Sequence, residues 1–293
     1  MQDSEIINLI DSKQATNALP IYRIISGKKP FEVIDHVVRE QPVTVMIDKL
    51  GSFTIMATPM DIEALAIGFI YSEGIIETMD DILEISTKHT LPNVVGIRVH
   101  DPRRMTIQRN MIVASSCGLC GTRNIDKMLS RIPCCNRTFQ LDSHLLIKAA
   151  EYLRQSQNLF QMTGSSHAAG IFTASGQMIH FAEDIGRHNA LDKAMGKCLM
   201  AKQTPKGNFA VLSGRISLEM VTKAAKAGIE LVAAVSAPSS LAIQAAEKWK
   251  ITLCGFVRPE KMNVYTGPER IRDINDSKNL PARLNTESME KRG

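Results

Sequence analysis

The chain has 293 residues, 44% apolar and 22% charged, with a formal net charge of +5; this is ordinary globular composition, long enough for one large domain or two smaller ones with a sizeable core. One Trp and four Tyr argue against aromatic platforms for bases, and the charge suits an anionic ligand while falling short of a nucleic-acid footprint. No apolar run reaches the ~18–20 residues of a membrane span, and the opening "MQDSEIINLIDSK" lacks the basic start and apolar core of a secretory signal, so the expected setting is the cytoplasm, with neither membrane nor nucleic acid as partner.

Residues 1–30 are mixed and polar and read as a loosely packed arm. In "PVTVMIDKLGSFTIMAT" (42–58), Val43, Val45 and Ile47 alternate with polar positions, then Phe53 and Ile55 do the same after the turn chemistry of Asp48–Gly51. That pattern predicts a β-hairpin. The following "TPMDIEALAIGFIYSEGII" predicts a helix with Thr58 as N-cap, Pro59 at the first position, an apolar face of Ile62, Leu65, Ala66 and Phe69, and a stop at Gly74. "NVVGIRVH" (93–100) reads as a strand, followed by a basic patch of Arg103, Arg104 and Arg109 and the loop "SSCGLCGTR" (115–123). "RNIDKMLSRI" suits a short helix, residues 133–143 a connector, and "LLIKAAEYLRQ" (145–155) a helix.

"HAAGIFTASGQMIHFAED" (167–184) reads as two strands joined at Ala174–Gly176, and "GRHNALDKAMGKCLM" starts a helix near His188. The last third gives the clearest pattern: "NFAVLSG", "IELVAAVSA" and "ITLCGFV" are strands, separated by the helices "ISLEMVTKAAKAG" and "SSLAIQAAEKW". Alternation of this kind predicts βαβ units and a parallel sheet. Residues 267–293 are polar and read as a mobile tail.

Ligands of open α/β sheets collect beyond the carboxyl ends of the strands. Here those ends read "SGR" (213–215), "SAPSS" (236–240) and "VRPEK" (257–261). Ser213, Ser236, Ser239 and Ser240 offer small polar groups and a helix start. Arg215, Arg258 and Lys261 add fixed positive charge, and Gly186, Arg187 and His188 stand where another helix begins. The set suits a phosphorylated ligand; equally, Ser and Gly cap helices and basic side chains sit in water. No GxxxxGK[ST] loop and no GxGxxG after a strand is present.

Cys117 and Cys120 admit several chemistries. Zinc or an iron–sulfur cluster needs about four ligands, and the adjacent Cys134 and Cys135 make a poor second pair, with His167, His188 and Cys198 available from afar. A thioredoxin-like couple fits the spacing but not the place in the chain. In a reducing compartment a structural disulfide is disfavoured. A nucleophilic thiolate fits the flanking Gly118 and Gly121 and the nearby Arg109 and Arg123, because such a thiolate exchanges with disulfides or persulfides and hands the sulfur on. "HAAG" keeps the His of a zinc deaminase His-x-Glu but has Ala169 in place of the glutamate, and no PCxxC follows it. Deaminase chemistry is disfavoured, while a related fold stays open.

"SSCGLCG", "TGSSHAAG", "EDIGRHNALDK", "LSGRISLEMV", "AVSAPSSLA" and "GFVRPEKMNVYTGPERI", in that order, together with "TPMDIEALAIGFIYSEGII", resemble the formate dehydrogenase accessory sulfurtransferases, the FdhD family, from about residue 40 to 271. The resemblance implies an α/β fold in which a cytidine-deaminase-like cofactor-binding domain (137–266) without zinc machinery follows a smaller α+β region (31–136) that ends in a mobile CxxC loop. It implies a cytoplasmic homodimer that takes sulfur from a cysteine desulfurase as a persulfide. The sulfur passes to the molybdenum (or tungsten) bis-molybdopterin guanine dinucleotide, bound as substrate and mimicked by GDP, before that cofactor enters formate dehydrogenase. The family's persulfide cysteine maps onto Cys117, its second cysteine onto Cys120, and its cofactor-binding stretch onto Phe256, Val257, Arg258, Pro259, Glu260 and Lys261. Where the family often has TGG or TGC, this chain has Thr163-Gly164-Ser165-Ser166 before His167. Two other readings stand beside it: a non-catalytic chaperone that binds and delivers the cofactor, and a metal-binding structural module.

Overall fold

The computed structural model describes residues 15–87, 93–100, 112–113, 132, 134–136 and 139–279. Three sheets organise them. A two-stranded ribbon pairs β1 (Thr16–Arg23) antiparallel with β2 (Phe31–Val38). A five-stranded sheet holds β3 (Gln41–Ile47), β4 (Gly51–Ala57), β5 (Ile82–Thr87), β6 (Val94–Val99) and β7 (Ile112–Val113) in the order β5-β6-β3-β4-β7. A six-stranded sheet holds β8 (His167–Phe172), β9 (Met178–Asp184), β10 (Phe209–Leu212), β11 (Leu231–Ala234), β12 (Thr252–Arg258) and β13 (Lys261–Thr266) in the order β13-β12-β11-β10-β8-β9. β10, β11 and β12 run parallel, as expected from the alternation, and antiparallel partners close both sides. The helices are α1 (Ile62–Ser72), α2 (Ser143–Gln155), α3 (Asn158–Thr163), α4 (Arg187–Met200), α5 (Leu218–Lys226), α6 (Ser240–Trp249) and α7 (Arg272–Asn279).

Strand sequence explains the layers. Along β10 and β11, Ala210, Leu212, Val232 and Ala234 enter a core shared with α1, α4, α5 and α6, whereas Phe209, Val211, Leu231 and Ala233 enter a second core beneath α2. Successive side chains point to opposite faces, so a strand buried on both sides needs an unbroken apolar run. In the second core the Phe172 and Phe209 rings stack at 5.4 Å. The first core also takes in Val43, Val45, Phe53 and Ile55 of the five-stranded sheet, so one apolar cluster spans both large sheets.

The contact between the sheets is the α1–α4 crossing, and glycine sets its closeness. A Cβ on Gly68 would stand 1.8 Å from the Asp192 carbonyl oxygen, and one on Gly196 would stand 1.9 Å from that of Ala64. Two ion pairs lie beside this crossing: Lys193 Nζ to Asp184 at 2.6 Å, both fully buried, and Lys223 Nζ to Asp192 at 2.9 Å, with Ser72 Oγ also 2.9 Å from Lys223.

Several expectations are corrected. Thr58 does not cap α1. Its N–H donates to Asp184, its hydroxyl accepts from the Ile185 N–H and its carbonyl accepts from Lys193, so the chain reaches α1 through Asp61 in a left-handed conformation. Part of the polar arm is β1, and residues 267–279 belong to the folded body. Arg270 is only 1% exposed, with Nε 3.2 Å from Glu230, Nη1 donating to Thr252 and Nη2 to the Asn136 carbonyl. β2, β5, β7, β13, α3 and α7 have no counterpart among the elements expected from the sequence. Gly74 does end α1, at φ 78. No described helix is long and apolar enough to cross a membrane.

Gly196→Ala should cost about 1–3 kcal/mol, because a methyl group forced against the backbone of a packed helix must displace it. A lower midpoint in thermal or urea unfolding checks this; an unchanged midpoint would refute the close crossing.

Candidate functional site

The carboxyl ends of the parallel strands share one edge with the start of β8 and the end of β9, since His167 pairs with Asp184 across that antiparallel ladder. Backbone and serine bonds lace the loops there. Ser213 donates its N–H to the Ala168 carbonyl at 2.9 Å and accepts the Ala168 N–H on its hydroxyl at 2.8 Å. The Ile216 N–H donates to Ala237 and the Ser239 N–H to Ile216. Ser239 caps α6, its hydroxyl accepting from the Ala242 N–H, as its sequence position suggests.

A basic cluster occupies the β8–β10 side. Gly214 passes so close to its neighbours that a Cβ would stand 3.2 Å from His167 Nδ1 and 3.6 Å from Arg187 Cβ. Burial lowers the His167 pKa, and the charges of Arg187 and Arg215 lower it further against the opposing pull of Asp184. Burial and the neighbouring Arg215 also lower the pKa of Arg187, with Glu219 opposing. The Arg187 Nε atom is buried without a hydrogen-bond partner among the described residues. A neutral imidazole and two guanidiniums around an unsatisfied donor make a natural anion receptor.

His188, the next residue on α4, turns elsewhere. Its Nε2 lies 3.2 Å from Glu219 and 3.4 Å from the Ser217 hydroxyl. It braces α4 against the start of α5, and burial pushes the Glu219 carboxyl up.

The β12–β13 hairpin forms the other side. β12 pairs with β11 over Thr252–Cys254 and no further, so Gly255–Arg258 overhangs the sheet edge. Gly255 allows this: a Cβ there would lie 2.9 Å from Pro238 and 3.2 Å from the Ser236 carbonyl. Phe256 then adopts φ 53, a left-handed conformation that costs a bulky residue about 1–3 kcal/mol. Its N–H donates to the Ser236 carbonyl at 3.3 Å, and the residue is 44% exposed. Val257 is buried. Arg258 Nη1 donates to the Val235 and Val257 carbonyls, and Pro259, Glu260 and Lys261 form the exposed turn.

Sequence reading missed the group that holds the edge together. Asp184 is fully buried and accepts from the Thr58 N–H, the Gly186 N–H, Asn189 Nδ2 and Lys193 Nζ. Its trace in the sequence is the spacing of Asp184 at the end of β9 from Asn189 and Lys193 on α4, which is too common a pattern to single out. Behind it, Glu183 accepts from the Leu159 and Phe160 N–H groups and from Ser166, although burial raises its pKa.

A family model described as the FdhD/NarQ family matches residues 38–272. The chain belongs to the FdhD/NarQ family. Curated relatives named "Sulfur carrier protein FdhD" include one from Sulfurisphaera tokodaii, 41% identical over 81% of this chain and 92% of its own. Another, from Saccharolobus solfataricus, is 36% identical over 84% and 95%, and a third, from Streptomyces coelicolor, is 38% identical over 81% and 89%. A crystal structure of a protein from Desulfotalea psychrophila, assigned provisionally as a formate dehydrogenase accessory protein, shares the fold at a TM-score of 0.69 and 24% identity, covering 88% of this chain and 99% of that one.

Within this FdhD/NarQ chain, the structure brings His167, Arg187, Ser213 and Arg215 together on one side of the edge and Ser236 with Phe256–Lys261 on the other. Cys117 and Cys120 lie outside the described residues, as do Arg103, Arg104, Arg109 and Arg123. Burial pushes the thiol of Cys135 up to about 11 and those of Cys198 and Cys254 up to about 12, so these three stay protonated near neutrality and are poor nucleophiles. The Cys134 and Cys135 thiols donate to the Lys248 and Ile229 carbonyls. No three His, Cys, Asp or Glu side chains among the described residues group as metal ligands.

Arg215→Ala should raise the His167 pKa, because one of the charges that disfavours imidazolium is removed. An NMR titration of the imidazole reads this directly; a fall in pKa would contradict the cluster.

Proposed function

We propose that the protein is a sulfur carrier in formate dehydrogenase maturation. Cys117 takes sulfur from a cysteine desulfurase as a persulfide, Cys120 serves as the second thiol, and the sulfur passes to a molybdenum (or tungsten) bis-molybdopterin guanine dinucleotide bound at the strand-end edge. The supporting observation is family membership across residues 38–272, with relatives named sulfur carriers, in a chain that keeps the Cys117–Cys120 pair. The basic edge agrees with it, since a guanine dinucleotide is a polyanion.

The loading step is an exchange. The Cys117 thiolate attacks the terminal sulfur of the donor persulfide, the donor S–S bond breaks as the new one forms, and the donor cysteine leaves as thiolate. The same reading carries a deaminase-like origin for the six-stranded sheet, in which Ala169, fully buried in the core, stands where a zinc deaminase has its general acid–base. It also carries a cytoplasmic setting, a homodimer, and formate dehydrogenase as recipient.

After incubation with a desulfurase and cysteine, intact-mass spectrometry should show an adduct of about 32 Da, one sulfur added to a thiolate, that disappears in Cys117→Ala. Persistence of the adduct in that variant would move the carrier elsewhere. If cells carrying alanine at both Cys117 and Cys120 keep active formate dehydrogenase, the protein is instead a chaperone that delivers the cofactor without donating sulfur.

A further inference from the structure

A two-stranded ribbon is marginal by itself in water, yet β1 and β2 form a sheet of their own, hydrogen-bonded to neither large sheet. Seven of the 15 large apolar residues exposed among the described residues lie between Leu19 and Val37, so the ribbon holds a concentrated apolar surface outside the core. Cross-strand pairing assigns these residues to sides. Pro20 with Ile34 and Tyr22 with Glu32 share one side, which is open, Tyr22 being 71% and Ile34 59% exposed. Ile21 with Val33 and Leu19 with Asp35 share the other. α3 lies against β2, and Ile21, Val33 and Asp35 are half-buried, while Leu19, Phe31 and Val37 stay exposed. Phe160 and Met162 of α3 are exposed as well.

The two edges of the ribbon differ. β1 carries Pro20, which has no N–H to offer a further strand. β2 has no proline from Phe31 to Val38 and no second strand neighbour among the described residues. Its outer backbone groups are therefore a template for strand addition.

Charge selects the occupant. From Tyr22 to Phe31 the chain holds Arg23, Lys28 and Lys29 and no Asp or Glu. Arg23 lies 3.6 Å from Asp35 with both side chains exposed, a weak attraction in water. Lys28 and Lys29 are exposed at the tip. A second copy would bring the same net charge of +5 and the same basic tip. An anionic bilayer would suit the tip, but Leu19, Ile34 and Val37 run down the stem beside Glu32 and Asp35, where a lipid surface would meet carboxylates. An extended peptide satisfies stem and tip together. We infer that the ribbon docks an extended segment of an acidic partner protein. The segment adds antiparallel to β2 as a third strand, rests apolar side chains against Ile34 and Phe31, and ends in carboxylates facing Arg23, Lys28 and Lys29.

The test titrates the full chain with a fluorescent peptide of alternating valine and threonine ending in three glutamates. The same peptide ending in three lysines and phosphatidylglycerol vesicles serve as further probes. Anisotropy reads binding, and hydrogen exchange reads protection across Phe31–Val38. The glutamate peptide should bind and slow exchange in β2, weakening as salt is raised, and the lysine peptide should bind about tenfold more weakly or worse. Joint Lys28→Glu and Lys29→Glu, at exposed turn positions, should reverse that preference. Ile34→Ser should weaken both peptides by about three- to tenfold through lost apolar contact. A glutamate peptide that fails to bind, or binds without slowing exchange in β2, overturns the assignment. So does protection of β2 that grows with protein concentration alongside a doubled mass in light scattering, since the occupant is then a second copy. Vesicles that protect β2 and displace the peptide overturn it in favour of a lipid surface.

Discussion

The approach of α1 to α4 is the constraint on which the rest of the molecule depends. With no side chain at Gly68 or Gly196, each helix lays backbone against backbone, carbonyl oxygens occupying the space where Cβ atoms would be. Dispersion falls steeply with distance, so this intimacy yields dense packing over the whole contact. It also fixes the five-stranded sheet against the six-stranded one, because α1 follows directly from β4 and α4 from β9. Without the crossing, the core that runs from Val43 to Leu253 would be two cores.

Close approach brings charge inside as well. Asp184, Asp192, Lys193 and Lys223 are all buried beside the helices. Such pairs add little net stability compared with apolar packing, yet losing one partner leaves the other stranded in a poor solvent for ions. Their evident contribution is placement. Asp184 holds Thr58 at the end of the N-terminal hairpin and Gly186 at the entrance to α4, so the same carboxylate that joins the two regions orients the first turn carrying Arg187. The basic edge is assembled by the core, not added to it.

Much of this was legible in the amino-acid order. Two-residue alternation gave the 42–58 hairpin, and the strand–helix rhythm from Phe209 onward gave three parallel strands, because those patterns report burial on one face or two. The misses share a cause: partners distant in sequence. Thr58 looked like a cap because local rules favour it there, but Asp184, Ile185 and Lys193 claimed its polar groups first. Arg270 sat in a stretch of solvent-like composition, and its partner Glu230 lies 40 residues earlier. The strand–helix alternation points to the edge where Arg215, Arg258 and Lys261 lie, yet no pattern separates Arg187, which faces His167 and Arg215, from His188, which faces Glu219; successive positions on a helix diverge by about 100°.

The double-sided burial of β10 and β11 bears on how such a protein can change over time. Every residue along these strands meets one core or the other, so a volume change anywhere in them is transmitted to a full layer of neighbours. Changes of side-chain volume are therefore absorbed best past the strand ends, at exposed positions such as Arg215, Pro259 and Glu260. A lineage can re-tune what it recognises in those turns while its framework stands still.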